Sequence, residues 1–152
     1  MPEYDPDFVP IIGLLNRARD FVRDELNREL AEAGYQEIRD SHGCVFGNIA
    51  PDGSRLTELA ERSGLTKQAV GEAVTDLEQL GYVERSPDPS DGRAKIIRLT
   101  PRGAETQAAG FEIMAGIEVG WAERYGAGRV AAMRELLEEI VAEELAAAPS
   151  PA

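Results

Sequence analysis

A mainly helical fold with a small β wing is predicted by three features of this 152-residue chain. Two apolar sets at helical spacing flank an interruption at Ser63-Gly64-Leu65. Leu56, Leu59 and Ala60 precede it; Ala69, Val70, Ala73, Val74, Leu77 and Leu80 follow it. Two alternating segments come next, Tyr82-Val83-Glu84-Arg85 and Ala94-Lys95-Ile96-Ile97-Arg98-Leu99, with a turn-rich stretch between them. Long amphipathic stripes lie on both sides, over 10–33 and 101–147. Two short helices joined by a tight turn form a helix-turn-helix, and a hairpin directly after the second helix is a wing.

Each element has a local reason. The first long helix covers 10–33, with Ile11, Leu14, Leu15, Ala18, Phe21, Val22, Leu26 and Leu30 as its stripe and Gly34 as its stop. A short helix is expected from Ser41 to Ala50, capped by Asp40 or Ser41 and closed by Pro51-Asp52-Gly53. Ser54-Arg55-Leu56 is a candidate third strand beside the wing. Thr57 can cap the first helix of the motif, with Glu58 in its first turn. Gly64 supplies the left-handed turn, Thr66 caps the second helix, and Gly81 stops it at Leu80. Ser86 to Arg93 forms the wing tip. Thr100 then caps a helix over 101–125, with Pro101 at its first position. Phe111, Met114, Ile117, Trp121 and Tyr125 share one side of it. Gly126-Ala127-Gly128 breaks the chain before a last helix from Arg129 to Ala147, and Pro149-Ser150-Pro151-Ala152 reads as a frayed tail.

The length suits one domain over 1–152 with a sizeable core. The formal net charge is −12. Residues 55–100 hold seven basic residues (Arg55, Arg62, Lys67, Arg85, Arg93, Lys95, Arg98) against eight acidic ones, so only −1 falls on the motif. The remaining acidity sits on the flanking helices, where screening over about 8 Å weakens its repulsion of phosphate. The first ten residues, MPEYDPDFVP, show neither a basic start nor an apolar core, and no apolar run reaches the roughly 18 residues of a membrane span. A soluble cytoplasmic protein is expected. One cysteine, Cys44, excludes an internal disulfide. No phosphate-binding glycine loop, HExxH or GxSxG occurs, so neither an enzyme nor a cofactor is expected. His42 has no second histidine beside it, and no metal site is expected.

The stretches LTELAERSGLTKQAV and LEQLGYVERSPDPSDGRAKIIRLTPRGAE resemble the MarR family of winged helix-turn-helix regulators. The resemblance is sharpest over 55–103, about a third of the chain, and its most specific part is the DPSDGR tip followed by a strand and LTPRG. It implies a winged lobe over 41–100, dimerisation helices at 10–33 and 101–147, and a homodimer that binds double-stranded DNA. Two recognition helices about 34 Å apart would read a pseudo-palindromic operator.

The DNA-facing residues then follow from position. Thr66, Lys67, Gln68, Gly71 and Glu72 lie opposite Val70, Val74 and Leu77 on the second helix. Gln68 suits adenine, Lys67 guanine or phosphate, and Thr66 with its backbone N–H groups a phosphate. Gly71 allows close approach, whereas Glu72 repels phosphate and can accept only from cytosine. Arg55 and Lys95 complete the expected DNA contacts, with Arg93 at the wing tip. The family frequently carries two adjacent arginines after the tip aspartate; here Gly92 holds the first position and Arg93 the second. Arg93 is therefore expected to brace Asp91, to enter the minor groove, or to alternate. Effectors in the family are commonly small aromatic or phenolic compounds, for which Arg17, Phe21, His42, Phe46 and Trp121 are the candidate lining.

Bland readings stand beside these. Ser41 and His42 suit a helix cap and a partly buried histidine. Cys44, among Val45, Phe46 and Ile49, suits buried packing, although some relatives sense peroxides through a first-helix cysteine. Two rivals remain: a ligand- or protein-binding dimer of the same fold with weak DNA binding, and a thiol redox switch at Cys44.

Overall fold

The computed structural model of the protein describes residues 8–147; the tail at 149–152 lies outside the described residues. The elements run α1 (Ile11–Glu32), a 3-10 turn (Asp40–His42), α2 (Gly43–Phe46), α3 (Leu56–Ser63), α4 (Lys67–Gln79), β1 (Val83–Asp88), β2 (Asp91–Leu99), α5 (Pro101–Tyr125) and α6 (Ala127–Ala147). This is the mainly helical fold with a two-stranded antiparallel wing that the sequence predicts. The chain divides into two compact units, residues 1–112 and 113–152, where length alone suggested one. No helix among the described residues is long and apolar enough to cross a membrane.

The core of the first unit is the inner face of the helix-turn-helix closed by the wing root. Val45, Leu59, Val70, Val74 and Leu77 are fully buried, with Tyr82 and Ile97 beside them. Burying a side chain of this size contributes about 1.5–3 kcal/mol. Tyr82 is held on several sides. Its hydroxyl donates to Glu37 Oε2 at 3.1 Å. Its ring meets the Phe46 ring edge-on at 6.3 Å, and the Arg102 guanidinium lies 4.4 Å above it. Burial pushes the Tyr82 phenol above its ordinary range. Arg102 also pairs with Glu37 at 2.9 Å, which ties the start of α5 to the segment before α2.

Several caps are where the sequence places them. Thr66 Oγ1 accepts the Ala69 N–H at 3.2 Å, and Gly64 (φ 70°) and Gly81 (φ 83°) take left-handed conformations. Thr100 Oγ1 accepts the Gly103 N–H at 3.1 Å and donates to the Gly81 carbonyl at 2.7 Å. Two caps differ. The N-cap of α3 is Arg55, not Thr57; Glu58 reaches back to accept the Arg55 N–H at 2.7 Å. The short helix expected over Ser41–Ala50 is a 3-10 turn followed by one turn of α2, starting from Arg39 rather than Asp40 or Ser41. Side chains take over beyond Phe46. Asn48 Nδ2 donates to the Cys44 carbonyl at 2.9 Å, and the Ala50 N–H donates to Ser54 Oγ at 2.9 Å. Such local bonds compete with helix continuation.

The wing is longer than its alternating segments suggest. Val83 pairs with Leu99 and Ser86 with Ile96, and the ladder continues past Pro87 opposite Lys95 to Asp88 opposite Asp91. An irregularity at Pro87/Asp88 accommodates the proline, and Pro89-Ser90 alone turns the chain. The third strand is one residue long: Ser54 and Ile97 exchange both backbone bonds at 2.9 Å before Leu56 enters α3.

The second unit contains the end of α5, Gly126 (φ 102°) and α6. Gly126 alone makes the break, so α6 starts at Ala127 rather than Arg129. α6 buries none of its residues. An open groove of about 530 Å³ runs between the two helices, lined by Trp121, Val130, Met133, Leu137, Val141 and Leu145. Arg134 links its rim, pairing with Glu118 on α5 and with Glu138 at 3.3 Å.

Candidate nucleic-acid interface

α4 has two faces of different chemistry. Val70, Ala73, Val74 and Leu77 point into the core, while Thr66, Lys67, Gln68, Glu72 and Thr75 are exposed. Gly71, half-buried, sits over Leu56; a side chain there would make ordinary contact with Leu56 Cδ2 at 3.8 Å. A shallow polar groove of about 460 Å³ follows the outer face, lined by Gln68, Gly71, Glu72, Thr75, Asp76 and Arg85 among others. Gln68 Nε2 donates to Glu72 Oε1 at 3.3 Å, one turn on. Arg85, from β1, donates to Thr75 Oγ1 at 3.0 Å and fixes the wing root against the helix.

Beyond Thr75, α4 is tethered rather than free. His42 is completely buried. Its Nδ1 accepts the Arg39 N–H at 3.1 Å, so Nε2 carries the proton and donates to Asp76 Oδ2 at 2.8 Å. The Arg39 guanidinium lies 3.5 Å from the same carboxylate oxygen. Next to Arg39, Asp40 accepts from Asn27 and pairs with Arg23 at 3.0 Å, both on α1. A run of polar contacts therefore joins α1, through the 3-10 turn, to the last turn of α4.

The wing is braced by residues other than those expected. Asp91 Oδ1 accepts the backbone N–H of Arg93 at 3.1 Å, which shapes the tip, but the Asp91–Arg93 side-chain pair is replaced by another. Asp88, with 7% of its surface exposed, takes Arg55 Nε at 2.7 Å and a second contact from the same guanidinium. Asp88 Oδ1 accepts both the Ser90 N–H and the Ser90 hydroxyl at 2.8 Å. These two Ser90 bonds and then Arg55 hold the Asp88 carboxyl at about 2, well below the usual carboxylate range. The Arg55 guanidinium is stabilised in turn by the Asp88 carboxylate. Arg55, expected on DNA, is thus first of all the partner of the wing. The tip leaves Arg93 exposed, with Lys95 exposed further down β2.

Between wing and α3 lies a cleft of about 370 Å³ lined by Arg55, Thr57, Arg85 and Lys95 with apolar neighbours. Three cations around the start of a helix form a setting for a phosphate oxygen. Arg85 and Asp88 were missed by sequence reasoning. Asp88-Pro89-Ser90 carried a usable signal, because an aspartate two residues before a serine is an Asx-turn pattern. Arg85 carried none.

The proposed effector residues are dispersed in role. His42 is occupied by Arg39 and Asp76, and Phe46 packs on Tyr82. Phe21, 74% exposed, and Arg17 lie on the outside of α1. Trp121 belongs to the second unit and lines its groove. Cys44 is half-buried; its thiol donates to the Ser41 carbonyl at 3.1 Å, and burial pushes its pKa up.

Residues 39–94 match the model of the MarR family. Among solved structures, a MarR-family transcriptional regulator from Rhodococcus sp. RHA1 is 26% identical over 86% of this chain and 92% of its own, with a TM-score of 0.69. MarR of E. coli in its apo form is 22% identical over 88% of this chain and 98% of its own, with a TM-score of 0.71. The transcriptional repressor CouR, bound to a 23-mer DNA duplex, is 24% identical over 87% of this chain and 92% of its own, with a TM-score of 0.72. No curated protein matches the chain. The matched motif and the order of helices around it agree: residues 39–94 carry the MarR-family motif, and the chain has the winged helix-turn-helix fold of MarR-family regulators.

Proposed function

We propose that the protein is a cytoplasmic homodimer that represses transcription from a pseudo-palindromic operator and leaves it when a small aromatic or phenolic effector binds. The observation that carries the reading is the division of α4. Its apolar face is fully committed to the core, and its opposite face presents Thr66, Lys67, Gln68 and Glu72 beside a braced wing. Helix N-terminal residues and a wing arginine, here Arg93, are the groups that reach base edges and the adjacent groove. The similarity to CouR, itself bound to duplex DNA, supports the same use of this surface.

Dimerisation is supported by unburied apolar side chains in each unit. Ile11 and Ile12 on α1 are 73% and 64% exposed, and Leu136 and Leu145 on α6 are 57% and 72% exposed. Patches of this kind mark association surfaces, and a two-fold dimer is the commonest way to cover them. The effector's site rests on residue chemistry alone: Arg17, Phe21 and Trp121 remain accessible, whereas His42 and Phe46 are engaged in packing.

A titration against a promoter fragment of the protein's own gene, repeated across salt concentrations, tests the reading. Operator binding that falls linearly in log–log form, by about 0.9 per phosphate neutralised, is the expected result. The net charge of −12 and Glu72 favour a second reading, a ligand- or protein-binding dimer with weak DNA binding. That reading requires equal affinity for operator and random duplex.

A further inference from the structure

We propose that Gln68 and Glu72 act as one reading unit, Gln68 taking an adenine and Glu72 taking the amino group of a cytosine within about two base pairs of it. The inference rests on the DNA-binding reading above.

Glu72 is exposed on the outer face of α4, and Gln68 is its hydrogen-bond partner among the described residues. The next outward groups are already committed: Thr75 to Arg85, and Asp76 to His42. Glu72 therefore keeps one carboxylate oxygen, Oε2, uncommitted on this face among the described residues. Against a duplex it is repelled by phosphates and by the N7 and O6 acceptors of guanine. The hydrogen-bond donors available to it in the major groove are the amino groups of cytosine and adenine.

Gln68 decides between them. Its amide has two N–H donors and one carbonyl. One N–H is given to Glu72 Oε1. What remains is one N–H and the carbonyl oxygen, the pair that matches adenine N7 and N6. Glu72 thus fixes which way the amide faces before DNA arrives. Its second oxygen stays free; cytosine N4 is the donor that suits it, because adenine N6 stands beside the N7 acceptor, which a carboxylate without a donor cannot satisfy. Residues one turn apart stand about 6 Å apart along a helix, against about 3.4 Å per base-pair step, which sets the two-pair limit.

The test is a selection from a randomised duplex pool at one salt concentration, using full-length wild type, Glu72→Ala, Glu72→Gln and Gln68→Ala. Thermal melts confirm that each exposed substitution leaves the fold intact. The wild-type pool should carry adenine and cytosine within two pairs. Glu72→Ala should lose the cytosine preference by about tenfold or more and weaken the adenine preference. Glu72→Gln should keep the adenine, because its carbonyl still accepts from Gln68, and lose the cytosine. Gln68→Ala should lose the adenine and keep the cytosine. Identical sequence preferences in wild type and Glu72→Ala would overturn the reading unit while leaving DNA binding in place. A wild type that retains no duplex at all would overturn the DNA-binding reading itself.

Discussion

Replacing Gly103 by alanine should loosen the joint on which the wing and α5 meet. Gly103 is buried in the first turn of α5. A Cβ there would stand 2.0 Å from the Tyr82 carbonyl oxygen, 3.0 Å from its carbon and 3.3 Å from Leu99 Cδ2. The oxygen distance must open by at least 1 Å to reach the 3.0 Å that real Cβ atoms keep. Both obstacles at Tyr82 are backbone, so no rotamer change can relieve them. The same oxygen accepts the Thr100 N–H at 3.0 Å, and that bond is strained by any retreat of α5. Overpacking of this kind costs about 1–3 kcal/mol, and a weakened hydrogen bond about 1 kcal/mol more. Alanine in place of glycine returns about 0.5–1 kcal/mol through helix propensity. The net expectation is a loss of about 1–3 kcal/mol. Urea unfolding at a fixed protomer concentration measures it. Gly116→Ala is the control, since nothing lies within 4 Å of a Cβ there, and it should be neutral or slightly stabilising. A Gly103→Ala protein as stable as Gly116→Ala would refute the argument from close approach.

Five other outcomes follow from the same structure. Gln68→Ala should cost about 1–3 kcal/mol of operator affinity and relax one base position, while Lys67→Ala should lower the salt slope by about one if it meets a phosphate, both read by titration. Arg55→Ala and Asp88→Ala should be strongly non-additive in a double-mutant cycle for stability or operator binding, whereas Arg93→Ala with Asp91→Ala should be nearly additive. The Asp88 carboxyl is depressed, so its contribution is complete above the ordinary aspartate range and is lost only as pH falls toward about 2; carboxyl chemical shifts should show the wing brace unchanged from neutral pH to pH 4. Sedimentation equilibrium at micromolar protomer should give a dimer, and a species near 16.5 kDa would remove that part of the proposal. Cys44 should alkylate more slowly than a free thiol at neutral pH, because burial raises its pKa.

The features legible in the sequence were those written within a few residues. Thr66, Gly64, Gly81 and Thr100-Pro101 each fix an end of a helix through contacts at most five residues away, and all act as their residue types suggest. The two faces of α4 were legible because helical periodicity separates Val70 and Val74 from Gln68 and Glu72. What escaped were pairings set by the fold. Asp88 meets Arg55 across 33 positions, and His42 meets Asp76 across 34. At the wing tip three carboxylate or cation side chains stand within a few residues, and sequence spacing favoured Asp91 with Arg93. The hairpin register instead buries Asp88 and turns it toward α3. Strand ends were also hidden, because Pro87 and Pro89 read as loop residues until Lys95 is seen opposite Pro87.

The bonds at His42 limit how α4 can move. A helix held only by apolar contacts can roll about its own axis, trading one set of knobs for another. Here the axle is pinned near its C-terminal end: Asp76 is fastened to a buried imidazole whose other nitrogen is fastened to the backbone of Arg39. Rolling α4 would carry Asp76 away and leave Nε2 of a fully buried imidazole without its partner, a loss that is severe in a dry interior. Asp40, one residue on, carries the fastening to Arg23 and Asn27 of α1. The lobe from the later part of α1 to α4 should then travel as one piece. A signal that changes the spacing of two such helices would have to swing whole lobes, and substitutions that tune the response should gather at the joints of those lobes rather than inside them.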